Sequence, residues 1–308
     1  MERPRTVTIG VEMFSARTPT LPPATHTNSY ALGGSEVLLI EPATPFEDEQ
    51  RAWIEWARAL SSQGRELLAI VATHHHPDHV GGALLLSREF GLPLWAHART
   101  IDRLAEPGAP AGASGAVFDR TLTDGETIDL AGPSPQRWRV LHTPGHAPGH
   151  VCLFEEGSLA LIAGDMVASE GTILIEPRDG DMQVYLQQLD RLAGLGARLA
   201  LPAHGGPIDE PTALFRHYIR HRLAREDKVV KALSSAPGPR SIEELIAEVY
   251  SDTPVFLWPL ARMSLAAHLV KLEREHRASR GGSAGFAGDH SEEGAPRWSL
   301  VPERMNGT

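Results

Sequence analysis

A single cysteine, Cys152, stands in the 308 residues, which excludes an internal disulfide and fits a reducing compartment. Aromatic residues are scarce, with eight Phe, six Trp and four Tyr. Few of them lie near basic residues, Tyr218 and Trp258 being the exceptions. A groove that binds single-stranded nucleic acid needs stacking rings and positive charge together. No apolar run reaches the roughly 18 residues of a membrane span. The opening Met1-Glu2-Arg3-Pro4-Arg5 is not followed by the apolar stretch of a signal peptide. A cytoplasmic protein without a membrane anchor is the expectation. Basic side chains are in deficit too: 29 Lys and Arg against 39 Asp and Glu give a net charge of −10. Residues 1–215 hold 15 basic and 27 acidic side chains, and residues 216–308 hold 14 and 12. An acidic first part disfavours long-range attraction of nucleic acid. The segment Arg216 to Lys231 is the one credible phosphate-attracting surface, and a solvated helix face accounts for its charge as well.

What is present is enough for a packed core, since 42% of the chain is hydrophobic. Val37 to Ile40, a few residues after the turn Gly33-Gly34, reads as a buried strand. Residues 46–63 place Trp53, Ile54, Ala57 and Leu60 at helical spacing. Leu67 to Ala72 is a second buried strand, 80–90 a helix and Pro93 to Ala96 another strand. Residues 106–116 read as a Pro/Gly/Ala-rich surface loop, and Thr123-Asp124-Gly125-Glu126 as a turn into strands. Arg137 to His142, Val151 to Phe154 and Leu159 to Ala163 are strand candidates. A helix is expected over 182–194, and Leu199-Ala200-Leu201 as an extended lead into the last motif. A boundary falls near Pro207 to Pro211, dividing a domain over 1–210 from one over 211–308. Beyond it the pattern predicts a long helix to Ser234, a capping box at Ser241-Ile242-Glu243-Glu244, a helix near 258–276 and a returning strand Arg297-Trp298-Ser299-Leu300. Helices followed by a two-stranded flap suggest a winged-helix-like module, with a mobile flap tip at about 279–296.

Chemistry gathers in four short pieces. The run Thr73-His74-His75-His76-Pro77-Asp78-His79 reads H-x-H-x-D-H. Thr143-Pro144-Gly145-His146, Gly164-Asp165 and Pro202-Ala203-His204-Gly205 follow, each at the end of a strand-like segment. Together they supply five imidazoles and two carboxylates, the ligand count of a hydrolase in which two ions share one hydroxide. Zinc takes imidazole nitrogen at about 2.0–2.1 Å. His74 and His76 are two apart, so on an extended segment they point the same way. The spacing shows that the clusters suit metal and goes no further. Unpaired, seven such groups in a core would be costly.

These pieces resemble the metallo-β-lactamase superfamily over most of the first 210 residues. Within it, His217-Tyr218-Ile219-Arg220-His221-Arg222 and the later His268-Leu269-Val270-Lys271-Leu272-Glu273 resemble the β-lactamase-like protein 2 group. The resemblance implies an α+β fold: a four-layer αββα sandwich followed by the C-terminal helical, winged-helix-like domain. It assigns His74, His76 and His146 to one ion and Asp78, His79 and His204 to the second. Asp165 would bridge the two. It also implies that the C-terminal module covers the site and narrows its entrance. Two zinc ions per chain are the default for this donor set, with manganese or iron also fitting. Asp78 is a candidate for orienting the hydroxide or relaying its proton.

Neighbouring residues read as support. His75 is expected to point away from the ligands, and His97, His142 and His150 to be structural. Gly81, Gly82 and Gly145 are expected to let backbone pack close to the metals. Pro77, Pro144 and Pro202 stiffen the ligand loops, and Cys152 reads as a small buried hydrophobe. Thr172, Tyr185, Arg220 and Arg222 are candidate substrate contacts by position. The leading substrate is a small ester or thioester, as for glyoxalase II-like enzymes that share the motifs. Single-stranded RNA, the activity associated with the resembled group, is the alternative. Weaker readings are β-lactam hydrolysis, a metal-bound redox protein with a flavin partner, and a nucleic-acid- or protein-binding module with a regulatory metal site. No required protein partner is evident.

Overall fold

The computed structural model of the chain describes residues 3–235, 237–281 and 296–301. Two sheets face each other. The first runs in the order β1 (Arg5–Thr8), β2 (Val11–Arg17), β3 (His26–Gly33), β4 (Glu36–Ile40), β5 (Glu66–Val71), β6 (Leu94–His97) and β7 (Phe118–Leu122). Its strands are antiparallel up to β4 and parallel from there on. Connections explain the change. A tight turn joins β3 to β4, whereas parallel neighbours need crossovers. These are α1 (Glu47–Ser62), then α2 (Pro77–Val80) with α3 (Ala83–Phe90), then α4 (Ala98–Ala105). The second sheet contains β8 (Thr127–Leu130), β9 (Gln136–His142), β10 (Val151–Glu155), β11 (Ala160–Gly164) and β12 (Leu199–Pro202), in that order across it. Helix α5 (Met182–Ala193) makes the crossover between the parallel pair β11 and β12.

Leu38 and Ile40 of β4 face the second sheet, where they meet Trp138, Val140, Val151, Leu153 and Ile162. Val37 and Leu39 face the other way, onto Trp53, Trp56 and Leu60 of α1. A strand buried on both faces needs apolar residues at every position, which is why β4 reads as one apolar run. On the far side, Cys152, Phe154 and Leu161 pack against Tyr185, Leu189 and Leu192 of α5 and Phe215 and Tyr218 of α6 (Pro211–Ser234). The layers are therefore helix, sheet, sheet, helix.

Helix α6 runs on beyond the sandwich. Its Val229, Ala232 and Leu233 join α7 (Ile242–Val249), α8 (Trp258–Arg274) and the hairpin of β13 (Ala278–Gly281) and β14 (Arg297–Leu300) around the buried Trp298. One helix thus contributes to both cores. The capping box forms: Glu244 N donates to Ser241 Oγ at 3.2 Å, and Ser241 N donates to the Glu244 carboxylate at 2.9 Å. Residues 282–295, most of the expected flap tip, lie outside the described residues.

Several elements differ from the sequence expectation. Strands β1 to β3 escaped assignment, because β3 buries Thr27, Asn28 and Ser29 and lacks an apolar alternation. Asn28 Nδ2 donates to Pro202 O at 2.9 Å and to Gly205 O at 2.8 Å, and Tyr30 OH donates to Pro202 O at 2.7 Å. This strand spends polarity on holding the His204 loop. The helix expected over 80–90 is split at Gly81–Gly82, and α4 lies where no element was placed. Within Val255–Arg274 an 18-residue window has a mean hydropathy of 1.3, long and apolar enough to cross a membrane by length and composition, although Arg262 and His268 interrupt its apolar run. Its Leu265, Leu269 and Leu272 are buried in the core of the C-terminal module.

Trp138 is fully buried between the sheets. Trp138→Ala would leave a cavity there and cost about 3–5 kcal/mol. Urea unfolding followed by far-UV circular dichroism would show it as a lower midpoint at unchanged slope.

Candidate metal centre

Four strand ends bring the motifs together. Strand β5 leads into His74 to His79, β9 into His146, β11 into Asp165 and β12 into His204. In the first group, His74 Nε2 lies 3.0 Å from His76 Nδ1, and His146 Nε2 lies 3.3 Å and 3.0 Å from those two atoms. In the second, Asp78 Oδ2 lies 3.6 Å from His79 Nε2 and 3.5 Å from His204 Nε2. Asp165 spans both. Its Oδ1 lies 3.6 Å from His79 Nε2 and 3.3 Å from His204 Nε2, and its Oδ2 lies 3.5 Å from His146 Nε2. All seven side chains of the sequence motifs meet in one place.

The outer edge of each ring decides what its inner edge can do. His79 Nδ1 faces Glu41 Oε1 at 3.0 Å, His146 Nδ1 faces Leu174 O at 2.8 Å, and His204 Nδ1 faces His26 O at 3.0 Å. His76 Nε2 faces Asp179 Oδ2 at 2.8 Å. His74 Nδ1 faces Thr73 Oγ1 at 3.0 Å, whose own proton goes to Glu41. Each partner accepts, so each outer nitrogen donates and each inner nitrogen carries a lone pair whenever the ring is neutral. Five lone pairs then point into one space beside two carboxylates. His79 Nε2 and Asp165 Oδ1 are buried without a hydrogen-bond partner among the described residues. Cations answer that arrangement, and nitrogen with carboxylate oxygen suits zinc.

Titration behaviour divides the rings into two sets. Burial, reinforced by His79, His76 and His146, holds His74 well below the usual imidazole range. Burial and His76 bring His146 down to about 4. Both rings are therefore neutral near pH 7, the form that ligates. For His79, burial pushes down, but Asp78, Glu41 and Asp165 outweigh it and raise the ring well above its ordinary value. Asp165 outweighs burial at His204 in the same direction, so these two rings favour an inner proton that a bound metal would displace. Burial would raise Asp165, yet His204 and His79 hold it well below the carboxylate range.

Two supporting carboxylates were not anticipated from sequence. Glu41 is 1% exposed and adopts the left-handed region at φ 62°, which turns its carboxylate from the end of β4 toward Thr73 and His79. A lone acid directly after an apolar strand was the available signal. Asp179 holds His76, lies 3.4 Å from His75 Nε2, and takes Arg103 NH2 at 3.0 Å. Burial opposes its charge, but His75 and His76 keep it well below the usual range. Nothing in its loop sequence marked it.

Other residues take supporting places. His75 shares Asp179 with His76. His150 Nε2 accepts from Asp165 N at 2.9 Å, so it holds the bridging residue's backbone. At Gly164 (φ +49°) a Cβ would come within 2.4 Å of that ring nitrogen. His97 caps α4, and His142 stacks on it with ring centroids 3.9 Å apart. Cys152 is buried, which pushes its thiol up to about 12. Gly145 (φ +130°) does approach closely, but to backbone: a Cβ there would sit 2.4 Å from Tyr185 Cα.

The ring cluster opens into a cavity of about 710 Å³. The sandwich contributes Leu21, Pro22 and Gly171 to Leu174 to its wall, and the C-terminal module contributes Phe256, Leu257, Leu260 and Met263. Of the four expected substrate contacts, Thr172 and Arg222 line this cavity. Tyr185 does not: it is fully buried in the core and donates to Met166 O at 2.8 Å. Arg220 is exposed on α6 and is absent from the lining. Its helical position turns it roughly 200° from Arg222, too far to share that face.

Asp179→Ala would free the outer nitrogen of His76 and weaken metal binding about 10–100-fold. Competition with a zinc chelator measures this, with unchanged far-UV circular dichroism as the control.

The sequence pattern of the metallo-beta-lactamase superfamily matches residues 22–204, and that of the beta-lactamase associated winged helix domain matches residues 241–287. The chain is 31% identical to the beta-lactamase-like protein 2 homolog of Drosophila melanogaster, over 81% of this chain and 82% of that one. It is 28% identical to an atrochrysone carboxyl ACP thioesterase of Aspergillus chevalieri, over 74% of this chain and 69% of that one. A solved metallo-beta-lactamase family protein from Thermus thermophilus superposes with a TM-score of 0.74 at 27% identity, covering 96% of this chain and 100% of that one. The chain belongs to the metallo-β-lactamase superfamily, as a hydrolase with a C-terminal winged-helix domain.

Proposed function

We propose that the protein hydrolyses small acyl thioesters or esters with two zinc ions per chain. His74, His76 and His146 would hold one ion, and Asp78, His79 and His204 the other, with Asp165 between them. One observation carries this: five inward ring nitrogens and two carboxylates sit together in the wall of a largely apolar cavity of about 710 Å³. The Aspergillus relative is named for thioester cleavage, which supports an acyl substrate here.

Bound there, the ions would lower the pKa of a water and polarise the acyl carbonyl. The protein's own groups do the rest. Asp165 keeps the two sets of rings in register, while Glu41 and Asp179 fix the ring orientations. Asp78 takes the proton of the attacking water at its carboxylate and passes it to the departing sulfur. The carbonyl–sulfur bond breaks, and a carboxylic acid and a free thiol leave. A thiol pKa near 8.5 makes the thiolate a good leaving group. Leu21, Phe256, Leu257, Leu260 and Met263 shield the acyl chain from water.

Single-stranded RNA is the competing substrate. The basic segment of α6 disfavours it. Arg216 pairs with Asp190 at 2.6 Å, and Arg225 and Lys228 both pair with Asp252 at 2.7 Å. Arg216 and Lys228 are exposed, and their pairing leaves them less available to the extended phosphate backbone of an RNA.

Metal content, thioester turnover and cleavage of a fluorescent single-stranded RNA, measured on one sample, test the proposal. Two zinc per chain, chelator-sensitive thioester turnover and intact RNA are expected. Chelator-sensitive RNA cleavage with no thioester turnover would overturn it. Asp78→Asn is expected to lower kcat about 10²–10⁴-fold with the fold unchanged by circular dichroism. Full activity and full metal content in that variant would remove Asp78 from the proton route.

A further inference from the structure

We infer that the cavity holds an anion subsite, built from His221, Arg222, Arg225 and Tyr250, that takes a carboxylate or phosphate group carried by the substrate. Helix α6 supplies the first three at positions i, i+1 and i+4, and the end of α7 supplies Tyr250. All four line the cavity that the ring cluster opens into.

The charge balance at this corner is unusual. Arg222 is 3% exposed, Arg225 9% and Tyr250 6%. Buried cations are costly unless paired. Yet the Arg222 contacts are neutral: its NH2 donates to Thr172 Oγ1 at 2.9 Å and to Ile173 O, and its Nε has no partner among the described residues. Arg225 pairs with Asp252, but Asp252 is shared with Lys228. Two cations thus share one carboxylate, and Arg222 makes no ion pair among the described residues. Glu226, next on α6, is committed to Lys271 and Arg277. The carboxylates lining the same cavity are engaged as well: Asp78, Asp165 and Asp179 by the ring cluster, and Glu176 by Arg178 at 3.8 Å.

Neutral donors complete the corner. The Tyr250 hydroxyl is buried and makes no close hydrogen bond among the described residues, with Ser264 its neighbouring hydroxyl, and the Arg225 guanidinium lies 4.3 Å from its ring centroid. Burial raises the Tyr250 pKa, so the group stays a donor. Burial, with Arg222 and Arg225, lowers His221, leaving a neutral ring with one N–H. The corner is also tied to the reacting end. Arg222 grips Ile173 O, and the next carbonyl, Leu174 O, faces His146 Nδ1 at 2.8 Å. A substrate with its carbonyl at the rings and an anion at Arg222 would touch both ends of one short loop.

The subsite rests on the thioester proposal for its substrate, and two matched pairs test it in the zinc-loaded protein. S-glutaryl- against S-pentanoyl-N-acetylcysteamine places a carboxylate in the acyl group. S-pentanoyl-phosphopantetheine against S-pentanoyl-pantetheine places a phosphate in the leaving thiol. In one pair the anionic member is expected to be preferred at least about tenfold in kcat/KM, and that pair identifies the source of the anion. Arg225→Gln should abolish the preference. Tyr250→Phe, which keeps the buried ring and removes only the hydroxyl, should reduce it about threefold or more. No preference in either pair, or a preference that survives both variants, would overturn the subsite while leaving the thioester proposal intact. If none of the four thioesters turns over, the thioester proposal fails by itself. Calorimetry of phosphopantetheine against pantetheine, and of glutarate against pentanoate, then decides the subsite, with equal affinities in both pairs overturning it.

Discussion

Imidazole has two nitrogens, and in five rings of this protein the outer one is tied to an acceptor. The acceptors are the carboxylates Glu41 and Asp179, the backbone carbonyls Leu174 and His26, and the hydroxyl of Thr73. Each tie removes a tautomer and aims a lone pair inward. Ring nitrogens that approach to 3.0 Å with lone pairs facing each other repel, and so do the carboxylates beside them. The fold tolerates this concentration because its two sheets are rigid and buried on both faces. Elements far from the rings serve the same end. The left-handed Glu41, the polar strand β3 behind the His204 loop, and His150 behind Asp165 all hold the ring cluster in shape.

The sandwich alone would leave the cluster at an open rim. Helix α6 changes that, because its first turns lie in the sandwich core and its last turns lie in the core of the C-terminal module. The module is therefore held at a set angle, and its η-turn (Val255–Leu257) and α8 close one wall of the cavity. Leu21, Phe256 and Met263 are among the large apolar side chains left exposed, and all three line that cavity. Exposed apolar surface gathered in one place marks a binding site more than chance does. The same helix carries His221, Arg222 and Arg225 to the polar corner, so one element sets both the depth of the cavity and its charge.

The seven motif residues were legible because each sits at the end of an apolar strand, a pattern that survives in one dimension. The helices α1, α5, α6 and α8 were legible for a related reason: long, periodic or capped segments declare themselves locally. Strand β3 did not, because its Thr27, Asn28 and Ser29 look like a loop until their partners across the sheet are known. Tyr185 looked available to substrate by position, and only packing showed it inside the core under Gly145. Arg220 and Arg222 are two residues apart and looked alike, yet one faces solvent and the other is buried, because a helix turns by about 100° per residue.

Local order of residues along the chain determined the seven clustered histidines and aspartates, the strands that deliver them and the helical character of the second half. Those properties depend on neighbours within a few positions. Tertiary structure alone decided which nitrogen of each ring points inward, that Glu41 and Asp179 steer two of them, and which basic side chains of α6 reach the cavity. Apart from Thr73 beside His74, the ring contacts join residues 28 to 178 positions apart, from His146 with Leu174 to His204 with His26. No local pattern encodes such pairings, because the chain must fold before either partner has the other in reach.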